Sequence, residues 1–251
     1  MNQIARTSDT YDSIGRSYSA RRQADPRLAA RIDASIGSNT TVLNVGAGTG
    51  SYEPARRGIV AVEPSIVMLL QRPRAAAPAI RAVAEALPFR DQALDVVLAI
   101  LTVHHWSDQR RGLEECARVA RERVVILTWD PKAEGFWLVQ DYFPEILEID
   151  RRIFPSLEYF RAVLGPIDVQ PVPIPGDCID GFLGAFWRRP GAYLDEGIRA
   201  GISTFKRLPN FDSQLERLRR DLKSGEWERR NAGLLDRAEL DVGYRLVIAE
   251  R

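Results

Sequence analysis

The chain has 251 residues, 45% of them hydrophobic and 27% charged, which excludes a disordered or fibrous polymer and suits one α/β domain with insertions, or one domain with a cap. Its 35 basic and 34 acidic residues cancel, so no overall field draws it to nucleic acid or a membrane surface. Cys116 and Cys178 make neither a disulfide framework nor a metal-ligand spacing, and no apolar run resembles a secretion signal or a membrane span, so a soluble cytoplasmic protein is expected.

Residues 8–22 are polar, with Tyr11, Ile14 and Tyr18 regularly spaced, and predict a short helical arm. Asp25-Pro26 supplies a cap followed by proline at the first helical position. Leu28, Ile32 and Ile36 then recur at helical spacing up to Gly37. Apolar runs and turns alternate from there. TVLNV (41–45), GIVAV (58–62), AIRAV (79–83), LDVVLAI (94–100) and RVVILTW (123–129) read as strands, with helices at 65–71 and 108–120. Strands separated by helices imply a parallel sheet with right-handed crossovers.

Beyond Asp130-Pro131 the texture changes. Residues 131–154, 156–165 and most of 178–230 read as helical, IDVQPVPI (167–174) as an edge strand with prolines, and GYRLVIAE (243–250) as a final strand. This divides the chain into an arm at 1–24, a Rossmann-like core at 25–130, a helical cap with one edge strand at 131–240, and a last core strand at 241–251.

The segment VLNVGAGTGSYE (42–53) runs an apolar strand into Gly46, Gly48 and Gly50. Glycines there permit positive φ and close approach of backbone to a ligand at the carboxyl end of the strand. The second strand ends at Glu63, where a carboxylate can accept hydrogen bonds from both hydroxyls of a ribose. A dinucleotide site is the competing reading. It would need its third glycine where Ser51 stands, and the seven residues between Gly50 and Gly58 are too few for the helix that cradles a pyrophosphate.

VLNVGAGTG (42–50), AVEPS (61–65) and AEALPFRDQALDVVLAILTVHHW (84–106) match, in order and spacing, the class I S-adenosylmethionine-dependent methyltransferases. The chain resembles in particular the methyltransferase type 11 group, over residues 28–130. The resemblance implies a mostly parallel α/β sheet with an antiparallel last strand. It also implies S-adenosylmethionine as cofactor, S-adenosylhomocysteine as product and a small-molecule methyl acceptor. It places Gly46, Gly48 and Gly50 by the methionine and ribose, Glu63 on the ribose hydroxyls, and Pro64, Ser65 and Met68 near the adenine. Ala84, Glu85 and Ala86 would offer backbone to the adenine edge, Leu87 would lie against its face, and Leu101 and Thr102 would run beside the methionine. Tyr18 and Arg22 resemble an arm that folds over the cofactor, with the arginine on the methionine carboxylate. Two positions depart from the pattern: Asn44 replaces the usual acid, and Val83 stands where relatives carry an aspartate.

Methyl transfer from a sulfonium is dominated by orientation, and a general base is needed only if the acceptor must lose a proton. The chain's two histidines, His104 and His105, leave the fourth strand side by side, and they are read equally as catalytic or as anchors of the loop, with His104 slightly ahead. No third ligand suggests a metal. Residues 130–193 hold eleven of the 21 aromatics, mostly cap core by expectation, with Trp137 and Trp187 set apart as candidate acceptor-pocket residues. The mixed charges of 217–230 read as a solvated face, so neither nucleic acid nor membrane is an expected partner. Non-catalytic cofactor binding and an NAD-type oxidoreductase remain the alternatives, and the acceptor and oligomeric state are open.

Overall fold

The computed structural model describes residues 22–38, 41–54 and 58–251, so the arm, including Tyr11 and Tyr18, lies outside the described residues except for Arg22. Helix α1 (Pro26–Ile36) begins where Asp25 accepts a hydrogen bond from the Arg27 amide at 3.0 Å and ends at Gly37, φ +76°. Its buried stripe of Leu28, Ile32 and Ile36 packs on the sheet, each side chain contributing about 1.5–3 kcal/mol.

Strands β1 (Val42–Val45), β2 (Ile59–Val62), β3 (Ala79–Ile80), β4 (Leu94–Ile100) and β5 (Ala120–Trp129) lie parallel, in the order β3-β2-β1-β4-β5. Beyond β5 come β9 (Tyr244–Glu250), antiparallel to it, and β6 (Asp168–Pro171) at the edge. The apolar runs are continuous because both faces of the sheet are covered. Successive residues go to opposite sides: Val96 and Leu98 of β4 join the core beneath α1 and the cap, while Val97 and Ala99 join a second core with α3 (Gln109–Val119) and α5 (Leu157–Leu164). The β5 pair Val125 and Leu127 against Val124 and Ile126 divides the same way.

Several elements differ from the sequence reading. The strand expected over 79–83 is only Ala79–Ile80, both exposed, because it has β2 alone as neighbour and no cover. Strand β5 starts three residues early, at Ala120, through a register shift against β4. The helix expected across 131–154 is a π-turn (Leu138–Tyr142) followed by α4 (Pro144–Ile153), since Pro144 cannot continue the preceding turn but suits a first helical position. The edge strand splits: β6 joins the main sheet, whereas β7 (Ile174–Pro175) pairs with β8 (Glu239–Leu240) in a separate ribbon. Residues 183–207 form 3₁₀ turns around the short α6 (Glu196–Ala200), and long helices return only in α7 (Asp212–Ser224) and α8 (Glu226–Leu235). Among the described residues no helix is long and apolar enough to cross a membrane.

Candidate active site

Two cavities open at the carboxyl ends of the parallel strands. The first, about 900 Å³, is formed by the loop after β1, the tip of β2, the 3₁₀ turn Ala84–Ala86 and the end of β4. Its floor depends on Gly46, at φ +66°, where an added Cβ would fall 2.0 Å from Thr102 Oγ1, so no side chain fits between the loops. Gly48, at φ +53°, has open space at that position, on the cavity side. Its amide donates to Glu63 Oε2 at 2.8 Å, and the Ser65 amide donates to Oε1 at 2.9 Å. Glu63 is thus an ordered carboxylate, 5% exposed, lining the cavity.

Beneath the loop Glu53 and Arg72 form an almost fully buried ion pair of 2.6 Å. Glu53 also accepts from the Ala77 amide and from Asn44 Nδ2 at 3.3 Å, while Arg72 donates to the Gly48 carbonyl. An ionised carboxylate only accepts, so the Asn44 amide nitrogen turns to Glu53 and its Oδ1 turns away from it. The departure at Asn44 is therefore matched to Glu53, since a second acid here would set two carboxylates against one arginine.

The second cavity, about 540 Å³, lies between the sheet end and the cap, walled by Trp129, Phe154, Phe182, Leu183 and Ile202. Three residues line both cavities: Arg22, Leu101 and His105. Leu101 has φ +50°, a conformation that costs a non-glycine residue about 1–3 kcal/mol and turns the chain sharply at the junction. Its amide donates to the Leu127 carbonyl at 2.8 Å, which holds that turn. His104 is stacked between His105 and Phe154, ring centres 3.8 and 4.0 Å apart, and lines only the second cavity.

A methyltransferase-domain family model matches residues 43–128. A protein of solved structure from Anabaena variabilis, provisionally named a methyltransferase from an antibiotic biosynthesis pathway, is 34% identical over 91% of this chain and 98% of its own, with a TM-score of 0.81. The chain belongs to the class I S-adenosylmethionine-dependent methyltransferases. Two more distant structures share the fold alone. The [4+2]-cyclase SpnF is 16% identical, covering 99% of this chain and 95% of its own at TM-score 0.55. A provisionally named methyltransferase from Bacillus halodurans is 12% identical, covering 89% and 98% at 0.52. No curated protein matches the sequence.

In this methyltransferase most residues singled out from the sequence converge on the first cavity: Asn44, Gly46, Gly48, Glu63, Pro64, Met68, Ala84, Glu85 and Thr102, with Arg22 and Leu101 at the junction. Others stand behind it. Gly50 sits over Glu53 and Arg72, and Ser65 caps α2 (Ile66–Leu70) by accepting from the Met68 amide. Ala86 is exposed, while Leu87 turns into the core under α3, where its amide donates to Glu115. Glu85 points back to accept from Ser107 and the Asp108 amide, which fixes the loop after β4. Arg22, expected on a ligand carboxylate, directs Nε and Nη2 to Asp180 of the cap at 2.7 and 3.2 Å, and Tyr52 donates to the same carboxylate at 2.7 Å. Trp137 and Trp187 line neither cavity; they are core residues, 3% and 0% exposed, donating to the Trp187 and Ile174 carbonyls.

Burial and the Arg207 cation hold His105 down to about 3, and burial with His105 and Arg207 holds His104 well below the usual histidine range. Arg207 Nη2 lies 3.5 Å from His105 Nδ1, which leaves the ring proton on Nε2. Both rings are neutral at pH 7. The sequence missed Asp150 of α4, which lines the second cavity at 1% exposure with neither carboxylate oxygen hydrogen-bonded. The signal was faint: Asp150 lies one turn after the buried Ile146, on the apolar stripe. Among the described residues no metal-binding cluster occurs.

Proposed function

We propose that this enzyme transfers a methyl group from S-adenosylmethionine in the first cavity to a small, largely apolar acceptor in the second. The junction at Leu101, His105 and Arg22 carries the reading, since these three residues line both cavities and so set the cavities side by side. When bound, the cofactor supplies a methyl on a positively charged sulfur, an electrophile that needs no further activation. The donor set of the first cavity suits it: an ordered carboxylate for two sugar hydroxyls, glycine backbone with no side chain in the way, and the apolar Met68 and Val83.

The roles divide accordingly. Glu63 holds the ribose, Gly46 and Gly48 admit the backbone edge, Asn44 Oδ1 accepts from the ammonium, and Val83, Ala84 and Pro64 border the adenine. Arg22 and Tyr52, tied to Asp180, connect the glycine loop to the cap, so that the acceptor cavity and cofactor cavity are held in one geometry. His105, fixed as an Nε2–H tautomer by Arg207, orients polar groups at the junction by donating a hydrogen bond. The aromatic and aliphatic walls of the second cavity, Trp129, Phe154, Phe182, Leu183 and Ile202, suit an acceptor that carries a ring.

Calorimetry with S-adenosylhomocysteine tests this. The wild type should give a saturable one-to-one isotherm, and Glu63→Ala should weaken it about 10- to 100-fold by removing two charge-assisted hydrogen bonds. No heat with the wild type, or heat unchanged in Glu63→Ala, would refute the assignment.

A further inference from the structure

Among the described residues, the second cavity is bordered by one carboxylate, and it is unsatisfied. Asp150 is 1% exposed, lines the cavity, and neither Oδ1 nor Oδ2 meets a hydrogen-bond donor. A buried polar group left this way is costly, and its natural complement is a donor brought by a ligand. We propose that Asp150 is the proton acceptor of the reaction and that the acceptor's nucleophile is an aromatic or enolic hydroxyl; this rests on the methyl-transfer reading above.

The surroundings favour this over the histidines. The titratable and charged groups that line the second cavity with Asp150 are His104 and His105 from the loop after β4, Tyr244 from β9 and Arg22, and Arg207 from the 203–207 turn acts on it electrostatically. The adjoining π-turn sends its Tyr142 hydroxyl to Asp221 instead. His105 has the Arg207 cation at Nδ1, which opposes uptake of a proton by that ring. Burial raises the Asp150 carboxyl to about 7, partly countered by Arg207, whereas His105 lies at about 3. A base is most effective when its affinity for the proton suits neutral pH. Asp150 meets that condition and the imidazoles do not.

The same argument selects the nucleophile. A phenol ionises at about 10, as tyrosine does, within reach of a base near 7. Aliphatic alcohols are far weaker acids, and a neutral amine attacks through its lone pair before losing a proton. Trp129, Phe154 and Phe182 supply flat walls for a ring. In the step, the hydroxyl proton passes to an Asp150 oxygen as an oxygen lone pair forms the bond to the methyl carbon. The carbon–sulfur bond breaks with its electrons going to sulfur, giving the methyl ether and S-adenosylhomocysteine. Asp150 then loses the proton to water.

The test uses the full chain saturated with S-adenosylhomocysteine and three probes, 7-hydroxycoumarin, 7-methoxycoumarin and 7-aminocoumarin, with binding followed by fluorescence. Wild type should bind the hydroxyl compound about tenfold more tightly than the methoxy compound, and Asp150→Leu should lose that preference while its S-adenosylhomocysteine isotherm stays unchanged. With S-adenosylmethionine, formation of 7-methoxycoumarin should rise through pH 7 in the wild type. In Asp150→Asn it should fall about 100-fold or more and lose that inflection. Equal binding of the three probes, preference for the amine, or an inflection kept in Asp150→Asn and lost in His105→Gln overturns the proposal. Any of these with intact S-adenosylhomocysteine binding leaves the methyl-transfer reading standing; loss of that binding in the wild type removes both.

Discussion

Replacing Asp150 by Asn should make the protein more stable at pH 8 and leave it unchanged at pH 4. The carboxyl ionises at about 7 in the fold against 3.8 in the open chain, chiefly through desolvation. A raised carboxyl favours the fold while it holds its proton, so its contribution is fully present below pH 3.8 and is lost as pH rises to 7. At 1.36 kcal/mol per pH unit, that interval corresponds to an upper limit of about 4 kcal/mol, with about 2 kcal/mol expected once water and side chains relax around the charge. Asn keeps the shape and carries no charge. Urea unfolding of both proteins at half-unit steps from pH 4 to 8.5 should give a difference that grows across pH 4–7 and then levels. A difference independent of pH, or an Asn variant less stable than wild type at pH 8, would show that Asp150 is partnered in solution. The gain in stability would accompany the loss of turnover described above, as when a destabilised site serves activity.

Gly46→Ala combines a Cβ 2.0 Å from Thr102 Oγ1 with φ +66°, and should cost about 2–4 kcal/mol in urea unfolding; a loss below about 0.5 kcal/mol would mean the loop can move aside. Asn44→Asp would place a second carboxylate 3.3 Å from Glu53, so thermal unfolding at pH 8 should show a loss of about 1–2 kcal/mol, and unchanged stability would show that the two side chains move apart. Asp180→Ala removes the buried carboxylate that Arg22 and Tyr52 share, and chemical denaturation should report about 3 kcal/mol, with weaker S-adenosylhomocysteine binding in calorimetry. Unchanged stability there would show that the contact between Arg22 and the cap is solvated.

The main strands were legible because each is largely buried on both faces and so reads as a mostly apolar run, as in 42–45, 94–100 and 244–250. The glycine spacing and Glu63 were legible for a related reason: a backbone turn at positive φ and a carboxylate at a strand tip are local requirements, which residue type alone can meet. Helix α1 carried its own start and stop in Asp25-Pro26 and Gly37. Leu87 and the Trp137–Trp187 pair were placed in the site by sequence but went into the core, because aromatic and aliphatic side chains suit either environment and only packing chooses.

Sequence by itself determined the α/β alternation, the glycine turn after β1 and the carboxylate at the tip of β2, since these follow from periodicity and backbone chemistry within a few residues. Tertiary structure alone decided that β9 enters between β5 and β6, that Arg22 answers to Asp180, and that Asp150, rather than the exposed Glu148 on the same helix, is enclosed without a partner. Those outcomes join residues up to 158 positions apart, and no local pattern records which distant surface will close over a given side chain.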